Sequence, residues 1–190
     1  LYRSLDGGET WSEMTNGLPS LPSEKGRISI DISRSNPNVL YSRYADAAGA
    51  IQGVYKTVDG GDVWTEVNSS SLQSVGFHWW FRGVVIDPDN ENIIYNVDFN
   101  VQKSIDGGTS WSPSFLNAHV DQHALAFNRM VPGAVVLGND GGVYYSGDDG
   151  ASYLKDLTLP ITQFYRVHVD AQNNAKVYNR KKSVQKYQKE

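Results

Sequence analysis

The side chains best suited to chemistry lie in one short stretch, HVDQH at 119–123. On an extended chain, residues i, i+2 and i+4 point to the same face, which would bring His119, Asp121 and His123 together. Two imidazoles and a carboxylate on one face can bind a divalent metal ion. The same residues could form an acid–base site in which Asp121 is the catalytic carboxylate, or they could simply line the polar mouth of a channel. The sequence offers no additional metal ligand.

A second candidate site is the aromatic segment FHWWFR at 77–82. Its indole and phenyl rings could stack on the CH faces of sugar rings, and Arg82 could hold a carboxylate through its planar fork. Arg82 could also pair with an acid such as Asp121. If the segment is extended, Trp79 and Trp80 point to opposite faces, so that one lines a groove and the other packs in the interior. Alternatively, the whole segment belongs to the hydrophobic core.

These residues lie within a repeat that must position them. Four segments share one pattern at intervals of roughly 40–50 residues, namely SLDGGETW (4–11), TVDGGDVW (57–64), SIDGGTSW (104–111) and the weaker copy SGDDGASY (146–153). Between them, short runs of alternating apolar and polar residues are separated by Gly-Gly and Asn-Pro pairs, a pattern typical of strands and turns. In the first full repeat the strands are predicted near 27–33, 38–44, 52–58 and 63–68. Four strands per repeat predict an all-β fold, a β-propeller fragment of four-stranded antiparallel blades.

The repeated aspartates are predicted to shape turns between the third and fourth strands. A carboxylate there can accept hydrogen bonds from backbone amides, the glycines can adopt positive φ, and the closing aromatic ring can cover apolar surface. Because the motif recurs in every repeat, a single active site cannot explain it. The residues assigned this structural role are Asp6, Trp11, Asp59, Trp64, Asp106, Trp111 and Asp148.

The repeat also provides a register for comparing candidate binding positions. Counting back from the second strand of each blade, Arg82, His123 and Tyr165 fall at equivalent places near the entry to the innermost strand. Trp80 and Asp121 come two residues earlier in their blades. The predicted ligand-binding residues are therefore His78, Trp80, Arg82, His119, His123 and Tyr165.

The three intact copies, which read Ser/Thr-x-Asp-x-Gly-x-x-Trp, resemble the Asp-box, or bacterial neuraminidase repeat, of a propeller family. The chain is most similar to the sortilin-type and glycoside hydrolase family 74-like bacterial propellers of that group. The finer resemblance rests on DQHALAF (121–127), LGNDGGVY (137–144) and LPITQFYRV (159–167), and the whole resemblance covers about 1–178. It implies a ring with more blades than this chain contains.

The repeat divides the chain into a partial propeller at 1–178 and a basic tail at 179–190 that lies outside the repeat. The predicted subdivision of the propeller is a half blade at 1–17, blades at about 25–69, 77–117 and 121–156, and a half blade at 161–178. Open strand edges invite pairing with another chain. We therefore expect the remaining blades of a full-length propeller as a partner, or self-association.

Composition restricts the classes of partner and bears on the cellular compartment of the protein. The formal net charge of −4 argues against nucleic acid as a partner, and no apolar run approaches the ~18 residues needed to span a membrane. There is no cysteine and therefore no disulfide framework. No signal peptide is visible, but the chain opens at Leu1 rather than at a methionine. We expect an internal fragment of a longer, extracytoplasmic protein.

The resemblance implies a glycoside hydrolase-like propeller that binds glycans or hydrolyses glycosidic bonds in the full-length protein. Most glycosidases need two carboxylates across a cleft, and the sequence nominates only Asp121. Sialidase chemistry, which the family performs with several arginines, is not favoured because arginines are few. The alternative is a sortilin-like propeller that binds a protein or peptide, or a scaffold without catalysis. The ligand is thus a carbohydrate or a protein, and no cofactor is firmly implied, although a divalent metal is possible.

Overall fold

The computed structural model describes residues 1–72, 75–159, 164–169 and 177–181, the last two ranges as backbone. The chain divides into two compact units, Leu1–Asp156 and Leu157–Glu190. Apart from a 3-10 turn at Pro22–Glu24, all regular structure in these ranges is β-strand. Within the same ranges, no helix is long and apolar enough to cross a membrane.

The first unit consists of a short hairpin followed by three four-stranded antiparallel sheets, each connected in simple sequence order. The hairpin strands are β1 (Tyr2–Arg3) and β2 (Ser12–Glu13). The first full sheet contains β3 (Ile28–Ile32), β4 (Leu40–Ala45), β5 (Ile51–Thr57) and β6 (Thr65–Val67). The second contains β7 (Gly83–Ile86), β8 (Ile94–Val97), β9 (Val101–Ser104) and β10 (Ser112–Ser114). The third contains β11 (Gln122–Phe127), β12 (Val135–Asn139), β13 (Gly142–Ser146) and β14 (Leu154–Lys155).

The predicted all-β fold of four-stranded antiparallel sheets is confirmed. In the first full sheet, every observed strand overlaps its predicted position and shifts by only a few residues at its ends. The alternation of apolar and polar residues located these strands because each side chain lies on one of two faces. Strand ends are less well defined by such a pattern, since turns tolerate both residue classes.

The hydrophobic core lies between successive sheets rather than within any one of them. One cluster joins the first sheet to the second through Val39, Tyr41, Val54, Leu72, Val84, Ile86 and Ile94. Another joins the second to the third through Val85, Tyr95, Val97, Val101, Phe115, Leu125, Val135, Leu137 and Tyr144. Alternate residues of β7 therefore serve both clusters, as expected for a strand covered on both faces. This face-to-face stacking fixes neighbouring sheets against each other.

The four aspartate motifs form one type of turn, here called the Asp turn, between consecutive strands (residues 4–11, 57–64, 104–111 and 146–153). At 104–111, Asp106 accepts hydrogen bonds from the Ser104 hydroxyl (2.8 Å) and from the backbone N–H of Ser110 (2.9 Å). The Ser110 hydroxyl also donates to Asp106 at 2.6 Å. These bonds stabilise the ionised carboxylate and lower the pKa of Asp106 from 3.8 to about 2. Both carboxylate oxygens of Asp106 thus accept hydrogen bonds from within the turn, which gives this side chain a structural role.

The closing tryptophans of the Asp turns have different surroundings. Trp64 is buried beside Leu18, Leu40 and Tyr55, and its indole N–H donates to the Gly61 carbonyl at 3.1 Å. Trp111 packs partly against the cluster between the first two sheets. Trp11, on the two-stranded hairpin, is 62% exposed.

The second unit contains one described hairpin, β15 (Phe164–Val169) paired antiparallel with β16 (Val177–Lys181). β16 runs past the predicted boundary at 178, so Asn179 and Arg180 continue the strand instead of starting a tail. Tyr165, a predicted binding residue, lies on β15, and its side chain is outside the described part of the chain. The rest of the predicted tail, 182–190, is also outside the described residues.

Candidate functional site

An aromatic groove of about 470 Å³ lies where the loop before β7 meets the segments that flank the third sheet. We call residues 75–82 the aromatic loop. The groove is lined by Val75, Phe77, Trp79, Trp80, Phe81, Phe99, Asp121 and Asp140. It therefore combines five aromatic rings with two carboxylates.

The aromatic loop is a turn and not an extended strand. The backbone N–H of Trp80 donates to the Phe77 carbonyl at 2.9 Å. The rings of Phe77 and Trp79 meet edge to face with centroids 6.4 Å apart, as do those of Trp79 and Trp80 at 6.0 Å. Both tryptophans line the groove, with 42% and 62% of their surface exposed. The two rings were expected on opposite faces only for an extended segment, and the turn does not meet that condition.

The first sheet holds the aromatic loop from one side. Gly49, in the loop between β4 and β5, accepts a hydrogen bond from the His78 N–H at 3.0 Å. Gly49 has φ +92°, and a Cβ placed there would lie 2.6 Å from Cδ1 of Trp79. The indole therefore packs directly on the glycine backbone. Arg27 adds a hydrogen bond to the Trp79 carbonyl at 2.8 Å.

The interior side of the loop is anchored by a buried network of His78, Arg43 and Asp98. The Nδ1 atom of His78 lies 2.7 Å from Asp98 Oδ1, and Arg43 forms an ion pair with the same carboxylate. Arg43 also donates to the His78 carbonyl at 2.6 Å. All three residues are at most 2% exposed. The network joins β4 of the first sheet, the end of β8 of the second sheet and the aromatic loop.

The hydrogen bonds assign one tautomer to His78. The Val75 N–H donates to Nε2 at 3.0 Å, so Nε2 is an acceptor and Nδ1 carries the proton that is donated to Asp98. Burial and the nearby Arg43 guanidinium lower the pKa of His78 to about 4. The imidazole is therefore neutral at pH 7. The prediction that His78 binds ligand was wrong, because its ring is fully enclosed.

The carboxylate side of the groove is formed by loops around the third sheet. Asp121 has φ +67°, and its N–H donates to the Phe99 carbonyl at 3.0 Å. Asp140 N–H donates to the Asp121 carbonyl at 3.3 Å, which places the two residues side by side. His123 Nε2 donates to Asp140 Oδ1 at 3.0 Å. Both carboxylates line the groove, and Asp140 has an imidazole partner.

The metal site proposed from His119, Asp121 and His123 was wrong. β11 begins only at Gln122, and the positive φ of Asp121 ends the extended spacing on which the prediction relied. His119 donates from Nδ1 to the Val120 carbonyl at 2.9 Å, while His123 is paired with Asp140. In the described part of the chain, no group of three or more His, Asp or Glu side chains is arranged to hold a metal ion.

Arg82 does not join the groove or pair with Asp121. It is exposed and lines a different cavity, which lies along β3, β7 and β11. Of these three predicted site residues, Trp80 and Asp121 line the aromatic groove and Arg82 does not.

Sequence reasoning missed the residues that build the site from beneath. Arg43 lies within the largely apolar run VLYSRYA (39–45) and Asp98 ends the run IIYNVD (93–98), and an isolated charge in such a run is a signal of a buried pair. Phe99 was missed because nothing in the sequence links it to the third sheet. Asp140 lies in the sequence NDGG (139–142), where an acid has an ordinary explanation as a turn residue, so it carries no distinctive signal of a site.

No family model matches the chain. Xyloglucanase Xgh74A from Acetivibrio thermocellus is 28% identical over 123 residues, which span 58% of this chain and 14% of that protein. The glycoside hydrolase family 74 enzyme of Niastella koreensis superimposes with a TM-score of 0.58 at 18% identity, over 76% of this chain and 24% of that one. A family 74 xyloglucanase from Xanthomonas campestris gives 0.56 at 14% identity, over 73% and 24%.

The chain has the fold of part of a family 74 propeller. The predicted propeller fold and the glycoside hydrolase family 74-like resemblance are thereby confirmed at the level of architecture. The chain spans about a quarter or less of the proteins named above.

Proposed function

We propose that the aromatic groove binds a glycan. The observation that carries this proposal is the convergence of five aromatic rings and two carboxylates on one cavity of about 470 Å³. Sugar rings offer apolar CH faces that pack on indole and phenyl rings, and hydroxyl groups that donate hydrogen bonds to carboxylates. The similarity to xyloglucanase Xgh74A supports a neutral β-glucan such as xyloglucan as the first ligand to test.

Hydrolysis is the second proposal, and it concerns the full-length protein. Two carboxylates, Asp121 and Asp140, line the same groove, and most glycosidases act with a pair of carboxylates. The hydrogen bond from His123 orients Asp140. In this proposal, Asp121 and Asp140 are the catalytic pair, which extends the assignment made from the sequence to Asp121 alone.

Two further proposals concern the type of repeat and the location of the protein. We infer that the Asp turns are Asp-box repeats, since each has the carboxylate at the same place in the turn between paired strands. A propeller that acts on a polymeric glycan would work outside the cytoplasm. A sortilin-like protein or peptide ligand, or a scaffold role without a ligand, remains the alternative that the experiment below distinguishes.

Titration of the chain with xyloglucan oligosaccharides, followed by tryptophan fluorescence and calorimetry, tests the first proposal. Trp79→Ala and Trp80→Ala should each weaken binding by about three- to tenfold, the range expected for loss of one aromatic stacking contact. Trp11→Ala is the matched control because Trp11 is as exposed as Trp80 but belongs to the β1–β2 hairpin. Equal affinity in all three variants, or no saturable binding of any glycan, would contradict the proposal.

Catalysis is tested separately by the release of reducing sugar from the full-length protein. Asp121→Asn and Asp140→Asn should abolish release while oligosaccharide binding persists, because neither substitution removes an aromatic ring. Full activity in both variants would refute the catalytic pair and leave the binding proposal intact.

A further inference from the structure

A second cavity, of about 270 Å³, lies along β3, β7 and β11 and shares no lining residue with the aromatic groove. Three of its lining residues are arginines, Arg34, Arg82 and Arg129, and Asp31 is the only acid among them. Apolar residues such as Ile32 and Phe127 complete the walls. Three exposed arginines thus line one cavity in a protein whose formal net charge is −4.

The single acid offsets only one of the three positive charges, and its oxygens already accept backbone hydrogen bonds. Asp31 Oδ2 accepts a hydrogen bond from the backbone N–H of Ile86 at 2.8 Å, and Oδ1 accepts one from Ile32 at 3.0 Å. The first of these bonds joins the first sheet to the second. Asp31 therefore serves as a link between β3 and β7.

Among the side chains that the structure describes, the three arginines of this cavity have no hydrogen-bond or ion-pair partner. The other arginines in that part of the chain are engaged. Arg3 pairs with Asp62 and Arg43 with Asp98, while Arg27 donates to a backbone carbonyl. The donors of the cavity arginines are thus free to bind a ligand.

The backbone holds one of these arginines in place. Gly83, the residue after Arg82, has φ +88°, and a Cβ there would lie 2.6 Å from Cβ of Ser29 on β3. The first residue of β7 therefore lies directly against β3, and Arg82 enters the cavity from this close contact. Arg82 directly precedes β7, whereas Arg34 and Arg129 lie in the turns that follow β3 and β11.

We propose that this arginine cavity binds an anionic group, a carboxylate or a tetrahedral oxyanion such as sulfate or phosphate. The planar fork of a guanidinium matches the paired oxygens of these groups. Like charges in a small cavity repel one another, and an anion relieves that repulsion. The ligand could be a free inorganic ion or an acidic sugar, and these share the chemistry that the cavity recognises.

Calorimetric titration of the 190-residue chain at low ionic strength tests the proposal. The probes are sodium sulfate, sodium phosphate and sodium glucuronate, with glucose as the neutral control. At least one anion should bind saturably and more weakly as NaCl is added, and glucose should not bind at this cavity. The anion that binds most tightly distinguishes an inorganic oxyanion from a sugar carboxylate.

Substitution assigns the binding to the cavity. Arg82→Gln should weaken anion binding by about tenfold, as expected for one charge-assisted contact, and the triple variant with Arg34→Gln and Arg129→Gln should abolish it. Arg3→Gln is the matched control, since Arg3 lies outside this cavity. Circular dichroism should show that every variant folds, because the cavity arginines have no described partner to lose. Absence of saturable anion binding, or binding unchanged in the triple variant, would overturn the proposal and would leave the aromatic groove unaffected.

Discussion

Lowering the pH from 7 to 4 should destabilise the first unit through a single buried imidazole, that of His78. The pKa of His78 falls from its ordinary 6.5 to about 4 in the folded chain, first because it is buried and then because of Arg43. Asp46 acts in the opposite direction, and Asp98 accepts the Nδ1 proton of the neutral ring. Protonation of Nε2 would remove the acceptor for the Val75 N–H.

The sign and the size of this change in the free energy of unfolding follow from proton linkage. Between pH 6.5 and pH 4 the unfolded chain binds a proton at His78 and the folded chain does not, so the free energy of unfolding decreases as the pH falls. One unit of pKa corresponds to about 1.4 kcal/mol. The loss is therefore about 2 kcal/mol at pH 5 and about 3 kcal/mol at pH 4. A loss of this size is a large part of the stability of an ordinary domain.

Urea denaturation at pH 7, 6, 5 and 4, followed by tryptophan fluorescence, measures this loss. His78→Gln removes the titrating group, so the decrease over this range should be smaller in that variant by about 3 kcal/mol. His123→Gln is the control because its imidazole is partly exposed and paired with Asp140 at the surface. Equal pH dependence in the wild type and in His78→Gln would refute the reasoning, as would an NMR titration of His78 centred near pH 6.5.

Two further substitutions test the close contact in the loop and the turn. Gly49→Ala should destabilise the chain by ~1–3 kcal/mol and shift the tryptophan emission, because the new methyl group meets Trp79. Gly76→Ala is the control for backbone strain alone, since Gly76 has φ +77° but no atom near its Cβ. An equal emission shift in both variants would show that the contact with the indole is not the cause. Asp106→Asn should lower the thermal midpoint at neutral pH and flatten the acid dependence between pH 4 and 2, since the stabilisation by a lowered pKa is present above 3.8 and is lost as the pH falls through about 2. Asp89→Asn, at an exposed position, should leave both the midpoint and the acid dependence unchanged.

The sequence was most informative where its pattern repeats. Strand periodicity and the aspartate motif located the sheets of the first unit, because both depend on local geometry that a short window of sequence contains. The motif also separated scaffold from site, since Asp106 uses both carboxylate oxygens within its own turn and Asp59 uses Oδ1 in the same way.

The candidate site was only partly predictable because it depends on contacts between segments that are distant in the sequence. His78 was chosen for its residue type, but Arg43 and Asp98, which enclose it, come from two different sheets. The shared face of His119 and His123 required an extended backbone, and the positive φ of Asp121 removes it. Aromatic composition did identify the loop that lines the groove, although its turn conformation was not predicted.

The buried contact among Arg43, His78 and Asp98 has a consequence for how such a repeat protein can change over time. Each repeat carries its own strands and Asp turn, so a duplicated or exchanged repeat would still form a sheet. The aromatic loop would travel with the second sheet, but Arg43 and Gly49 would stay behind with the first. Because Asp121 and Asp140 come from the third repeat, inheritance of the whole groove requires three consecutive repeats to move together. A recombination event at either boundary between these repeats would separate the aromatic loop from the residues that anchor it or from the carboxylates that complete the groove.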